Sequence, residues 1–192
     1  MHELGRIVRL QIQRSSLKRG ERPHRVYDPA PLLAVERLAV GPDGVFGQAA
    51  DGAWLVDVHH RHHPQTKNAD GEHGVSLGFT GHYTLMRQRF GDRITLGCAG
   101  ENILVAAERR LALDDLGNEL VLCSVEGREI VRLRVLQVAH PCRPFSGWAL
   151  GGVPESEVLK ETLQFLDAGT RGFYCHAVGS GIVAVGDRVV IP

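Results

Sequence analysis

Apolar and polar side chains alternate along residues 8–12, Val-Arg-Leu-Gln-Ile, the period-two pattern of a strand with one buried face. The turn-rich stretch 15–31 reads as a surface loop. Residues 32–40, Leu-Leu-Ala-Val-Glu-Arg-Leu-Ala-Val, fit strand or helix by pattern alone. The Gly41-Pro42-Asp43-Gly44 turn behind them tips the reading to strand. From 51 to 79 periodicity is lost among Gly, His, Asn and Asp, and a loop that long is uncommon unless it has work to do. A helix is predicted next: Thr80 can cap it, Tyr83, Met86 and Phe90 share a face, and Gly91 ends it.

The second half is more regular. Residues 100–105, Gly-Glu-Asn-Ile-Leu-Val, turn into a short strand. A hairpin follows, with strands over 119–125 and 128–138 and a turn at Glu126-Gly127. A second helix spans about 155–166, with Pro154 near its first turn and Leu159, Leu163 and Leu166 in one stripe. The chain closes as strand, Gly186-Asp187 turn, strand. Strands outnumber helices and do not alternate with them. The expected fold is therefore mainly β, a closed or partly closed β-barrel with a few peripheral α-helices. No repeat or linker divides residues 1–192, so one domain is expected.

Composition narrows the function classes. Basic and acidic residues balance at 22 each, which argues against nucleic acid as a bulk partner. No apolar run approaches the roughly 18 residues of a membrane span, and the first residues lack the apolar segment of a secretory signal. A cytoplasmic location is expected. The four cysteines, Cys98, Cys123, Cys142 and Cys175, form no CxxC pair, so they should be free thiols there.

Cys142 stands apart. In Val138-Ala-His-Pro-Cys-Arg-Pro-Phe145, Pro141 and Pro144 fix two φ angles and remove two donors, so the hairpin strand must end there. The thiol sits in a stiff loop between His140 and Arg143, and nearby positive charge favours a thiolate. A thiolate can attack an electrophile, carry sulfur or bind a soft metal. The residues alone leave a second reading open, that Cys142 is a small apolar filler. Cys123 and Cys175 sit in strand-like surroundings and read as filler. Cys98 lies in a Gly-rich turn.

Several pieces, in their order, resemble the MOSC domain, named for the C-terminal domain of molybdenum-cofactor sulfurase. They are Gly100-Glu101-Asn102, Val135 through Pro141-Cys142, Gly169-Thr170-Arg171-Gly172-Phe173-Tyr174, and Gly186-Asp187, spread over about residues 30–191. The resemblance implies a MOSC-type β-barrel. It implies a pterin-type molybdenum cofactor, with Cys142 as metal ligand or as carrier of activated sulfur. It implies relatives that reduce N-hydroxylated compounds, and others fused to pyridoxal-phosphate enzymes that mobilise sulfur. The chain departs from the family at Ala139, where many relatives have Arg, and at residues 68–75, where many have His-Gly-Gly. For the anionic cofactor, Arg143 and Arg171 are the candidate anchors, with Glu101, Asn102 and His140 beside them. Asn102 suits either a pterin edge or a loop clamp.

Residues 57–64, Asp-Val-His-His-Arg-His-His-Pro, carry four imidazoles within five positions. The run lacks the helical spacing of a zinc protease, and a complete metal site would need ligands from elsewhere. It is expected at the barrel rim, with His63 and His73 as candidate proton donors. Three functions follow. The first is a molybdenum-dependent oxidoreductase acting on N-hydroxylated or similar small substrates, with Cys142 on the metal and a separate electron-donor protein. The second is a sulfur carrier holding a Cys142 persulfide delivered by a pyridoxal-phosphate desulfurase. The third is a zinc-dependent or non-catalytic binding domain using the His59–His63 run. A homodimer is compatible with all three; neither nucleic acid nor a membrane is an expected partner.

Overall fold

The computed structural model describes residues 2–192. The first strands are β1 (His2–Gln13), β2 (Lys18–Arg19), β3 (Val26–Tyr27), β4 (Leu32–Val35), β5 (Arg37–Gly41), β6 (Gly44–Gln48), β7 (Trp54–Val56) and β8 (Val75–Phe79). Helix α1 (Thr80–Phe90) precedes β9 (Ile103–Val105), β10 (Glu119–Cys123) and β11 (Glu129–Val138). Helices α2 (Arg143–Ala149) and α3 (Ser156–Leu166) come before β12 (Phe173–Val178), β13 (Gly181–Ala184) and β14 (Arg188–Ile191).

Seven strands close a barrel in the order β14-β10-β11-β12-β8-β9-β1, with β1 pairing back onto β14. The pair β8–β9 is parallel and is bridged by the α1 crossover; the other pairs of the barrel are antiparallel. Closure leaves no exposed edge in this sheet except through β4, which extends it from the far end of β1. Register breaks between Glu3 and Gly5 and between Ile7 and Arg9 bend β1, so one strand serves β14, β9 and β4 in turn. Along β11 the side chains alternate as expected. Val131, Leu133 and Val135 are buried while Arg134 is exposed and Arg132 half-buried. Leu77, Phe79, Ile103, Phe173 and Val189 complete the interior. Burying each such Leu or Phe contributes about 1.5–3 kcal/mol. A second antiparallel sheet, β13-β5-β6-β7, packs Leu38, Val40, Val45 and Val183 into the same core.

The mainly β barrel with three helices agrees with expectation, and the structure differs from it locally. The strand read at 8–12 begins at His2. Within 15–31, β2 and β3 pair as a small hairpin, held down by Leu17 and Tyr27 in a second apolar cluster with Tyr83, Met86 and Phe145. Strands β7 and β8 fall at either end of the long loop read at 51–79 and shorten it to 57–74. Thr80 does not cap α1. Its Oγ1 donates to the Ala107 carbonyl (2.8 Å) and accepts from the Ala107 N–H (2.9 Å), pinning the helix start to the segment after β9. On α3 only Leu166 of the leucine stripe is fully buried, beside Thr162.

Candidate functional site

One mouth of the barrel is where β1 and β11 end and where β8, β9 and β12 begin. The segments there enclose a cleft of about 160 Å³, into which Cys142, Arg171, Glu101 and Tyr174 all open. Cys142 arrives by a short path. After β11 ends at Val138, the Ala139 N–H still pairs with the Gly172 carbonyl (2.8 Å), and Pro141 stops further pairing. Cys142 is extended (φ −127°, ψ 149°), and its carbonyl accepts from the Ser146 N–H (3.0 Å) and Oγ (3.1 Å). It is therefore the residue at the start of α2, a short helix absent from the sequence reading. Pro144 falls in the first turn, where a proline costs no hydrogen bond.

The four thiols separate by environment. Cys98, Cys123 and Cys175 are buried; burial pushes Cys98 and Cys175 up to about 12 and raises Cys123 as well. Cys142 alone is partly exposed.

Arg171 enters the cleft from the turn before β12. Gly172 holds φ 88° there, and a Cβ on it would come within 2.4 Å of the Leu77 carbonyl oxygen, so only glycine lets the chain pass. The Arg171 guanidinium carbon lies 3.7 Å from the centre of the Phe145 ring, and Nη2 donates to the Ala99 carbonyl (2.7 Å). Its Nε and Nη1 are buried without a hydrogen-bond partner. Tyr27 packs edge-on to Phe145 (5.0 Å) and donates its hydroxyl to the Cys98 carbonyl (2.7 Å). Burial pushes this phenol well above its ordinary range, although Arg171 beside it pulls the other way. Tyr174 is raised for the same reason, so both phenols are neutral hydrogen-bond donors.

Glu101 lies buried behind Arg171. Tyr83 donates its hydroxyl to Glu101 Oε2 (2.6 Å), and Oε1 has no partner. Burial raises this carboxyl, while the Tyr83 hydrogen bond and Arg171 oppose the rise. Asn102 is a clamp. Its Oδ1 accepts from Ser76 N–H (3.0 Å) and Oγ (2.9 Å), and its Nδ2 donates to Asp57 Oδ2 (3.1 Å) and the Gln11 carbonyl (3.3 Å). It does not line the cleft.

The other expected residues scatter. His140 lies at the mouth, exposed, with Nδ1 3.1 Å from Asp167 Oδ1. Arg143 is exposed and does not line the cleft. Nor do His63 and His73. The His63 Nδ1 accepts from the Gln65 N–H (3.1 Å), and the His73 ring rests 5.3 Å from Tyr174. The rings of the histidine run diverge. His60 is buried on Phe46 (4.6 Å), His62 lies near Asp43 (3.7 Å), and His59 alone faces the cleft. Among the described residues no group of three or more His, Cys, Asp or Glu is gathered to hold a metal, so the zinc reading finds no ligand set.

Sequence reasoning missed Lys18 and Lys67, and had His59 only as one member of the histidine run. A signal for the lysines was present: the chain has only three, and two of them line this cleft from separate segments. Three cationic side chains and two imidazoles thus face one small space, against the single buried carboxyl of Glu101. The surplus of basic groups makes the local potential positive.

Among the described residues no helix is long and apolar enough to cross a membrane. No match was found among curated proteins. The crystal structure of the YuaD protein from Bacillus subtilis is similar over 97% of this chain and 92% of that one, with a TM-score of 0.55 and 13% identity. The crystal structure of YiiM from Escherichia coli is similar over 83% of this chain and 65% of that one, with a TM-score of 0.50 and 14% identity. At these identities the likeness is one of fold. The profile of the MOSC domain matches residues 60–190, more than half of the sequence, and with the closed barrel and its cleft this assigns the chain to the MOSC domain family.

Proposed function

We propose that the cleft binds a pterin-type molybdenum cofactor with the Cys142 sulfur as a metal ligand, and that the protein is an oxidoreductase for N-hydroxylated or similar small substrates. One observation carries the reading: the single partly exposed thiol shares a cleft with a buried guanidinium that has two donors to spare. Buried N–H groups without acceptors are costly, and an oxygen-rich anionic ligand is the natural remedy. The residues fit the group. Arg171 would hold its phosphate or pterin oxygens, Lys18, Lys67 and His140 would add positive potential at the rim, and Cys142 would offer a soft ligand. When bound, the cofactor supplies redox chemistry through a metal already held by its dithiolene sulfurs.

The protein's own part is to seat, orient and shield. Phe145 stacks on the Arg171 guanidinium, and Tyr27, packed against Phe145 and Trp148, lines the cleft. Electrons come from a separate donor protein, and a reducing cytoplasm keeps the thiol free. The exposed sulfur of Cys142 equally favours a second reading, a carrier that holds a persulfide delivered by a desulfurase. Elemental analysis of protein made in a host that synthesises molybdopterin separates them. Stoichiometric molybdenum that is lost in Cys142→Ala supports the first; metal retained by that variant defeats it. A persulfide on Cys142 without metal supports the second.

A further inference from the structure

Asp57 is fully buried, and its carboxylate is surrounded by donors. Oδ2 accepts from the Gln13 N–H (2.7 Å) and Asn102 Nδ2 (3.1 Å); Oδ1 accepts from the His59 N–H (2.8 Å) and lies 3.1 Å from His59 Nδ1. A carboxylate only accepts, so Nδ1 must carry the imidazole proton. That fixes the ring as one tautomer and leaves the Nε2 lone pair free. Asn68 steadies the same loop by donating Nδ2 to the His59 carbonyl (2.8 Å). The ring so held lines the cleft that also holds Cys142. An Asx turn alone would use the His59 backbone N–H and leave the ring to rotate. Here the ring is gripped from behind by a carboxylate with no exposed surface, the arrangement that orients a proton-transfer histidine.

We propose that His59 is the proton-transfer residue of this cleft and Asp57 its positioning residue. The inference rests on the oxidoreductase reading for its substrate. Conversion of R–NHOH to R–NH2 and water takes up two protons and two electrons. The donor protein supplies the electrons, and His59 passes the protons one at a time. Nε2 takes a proton from solvent while Asp57 holds the Nδ1–H, and the proton then moves to the departing oxygen or the new amine nitrogen, leaving the ring as it began. The rim histidines expected in this role, His63 and His73, do not reach the cleft.

Two arms test this. Long-range proton–nitrogen NMR on protein carrying nitrogen-15 histidine reads the tautomer with no cofactor present, and the signal lost in His59→Gln assigns the ring. The expected result is the Nδ1–H form in the wild type, giving way to the Nε2–H form in Asp57→Ala, which offers Nδ1 no acceptor. An Nε2–H ring in the wild type overturns the proposal, as does no change in a folded Asp57→Ala. In the second arm, molybdenum-loaded His59→Gln should keep wild-type metal content and thermal midpoint while turnover falls at least about a hundredfold. Turnover within about threefold of wild type, or loss of the metal, overturns it. Failure of the oxidoreductase reading is seen separately, as metal retained in Cys142→Ala, and leaves the tautomer result standing.

Discussion

His82 lies on α1 with no exposed surface, its ring 5.4 Å from that of Phe79 and 5.9 Å from that of Phe173. Its Nε2 sits 3.0 Å from the Leu111 carbonyl oxygen, and its Nδ1 is buried without a partner. Burial lowers its pKa from 6.5 to about 4, with the Leu111 hydrogen bond opposing and Arg110 assisting. In the unfolded chain this imidazole takes up a proton near pH 6.5, while the folded protein keeps it neutral down to about pH 4. Its contribution is therefore whole above pH 6.5, drains as pH falls, and levels off below about pH 4. At about 1.4 kcal/mol per unit, the full loss is about 3 kcal/mol, a large share of a typical domain's stability. Glu101 works in the opposite sense, because its raised pKa makes it least costly at low pH. Comparison with His82→Phe, which keeps the aromatic packing, removes that background. Urea unfolding followed by tryptophan fluorescence should show the wild type losing about 2–3 kcal/mol more than the variant between about pH 7 and pH 4.5. Parallel pH curves for the two proteins would refute the reasoning.

Glu101→Gln should raise the thermal midpoint at neutral pH, with the gain shrinking as pH falls into the carboxylate range; a gain that grows on acidification would contradict the raised carboxyl. Gly172→Ala should cost about 2–3 kcal/mol in urea unfolding, since it puts a Cβ on the Leu77 carbonyl at a left-handed φ; a neutral effect would mean the turn moves freely. Iodoacetamide on the native protein should alkylate Cys142 and spare Cys98, Cys123 and Cys175 until denaturant is added, as read by peptide mass spectrometry. Phe173→Ala should lose about 3–5 kcal/mol, because its ring fills the barrel against Phe79 and His82.

The barrel was legible where its strands have one wet face. The β10–β11 hairpin shows this best, with Arg132 and Arg134 set between Val131, Leu133 and Val135. Strand β7 and the β2–β3 hairpin were hidden because two- and three-residue strands carry too few positions for a period to appear. Helix α2 was hidden for another reason: Pro144 reads as a breaker, yet it occupies the helix's first turn. Cys142 was legible from the two prolines around it. Arg171 was reached through family resemblance, since nothing local tells a cleft arginine from a surface one. The four neighbouring imidazoles look equivalent in one dimension. What distinguishes His59 is the carboxylate of Asp57 behind its ring, which becomes a buried clamp only when β1 supplies the Gln13 amide.

The Gln13 end of β1 lines the cleft, while its His2 end is hydrogen-bonded beside Ile191 of β14. Twelve residues of strand, up to about 36 Å of path, separate the two ends of β1. Anything joined to this polypeptide at its first or last strand would thus hang from the pole opposite the opening. A reporter or a carrier module could be appended at either side without standing in the doorway through which small molecules come and go.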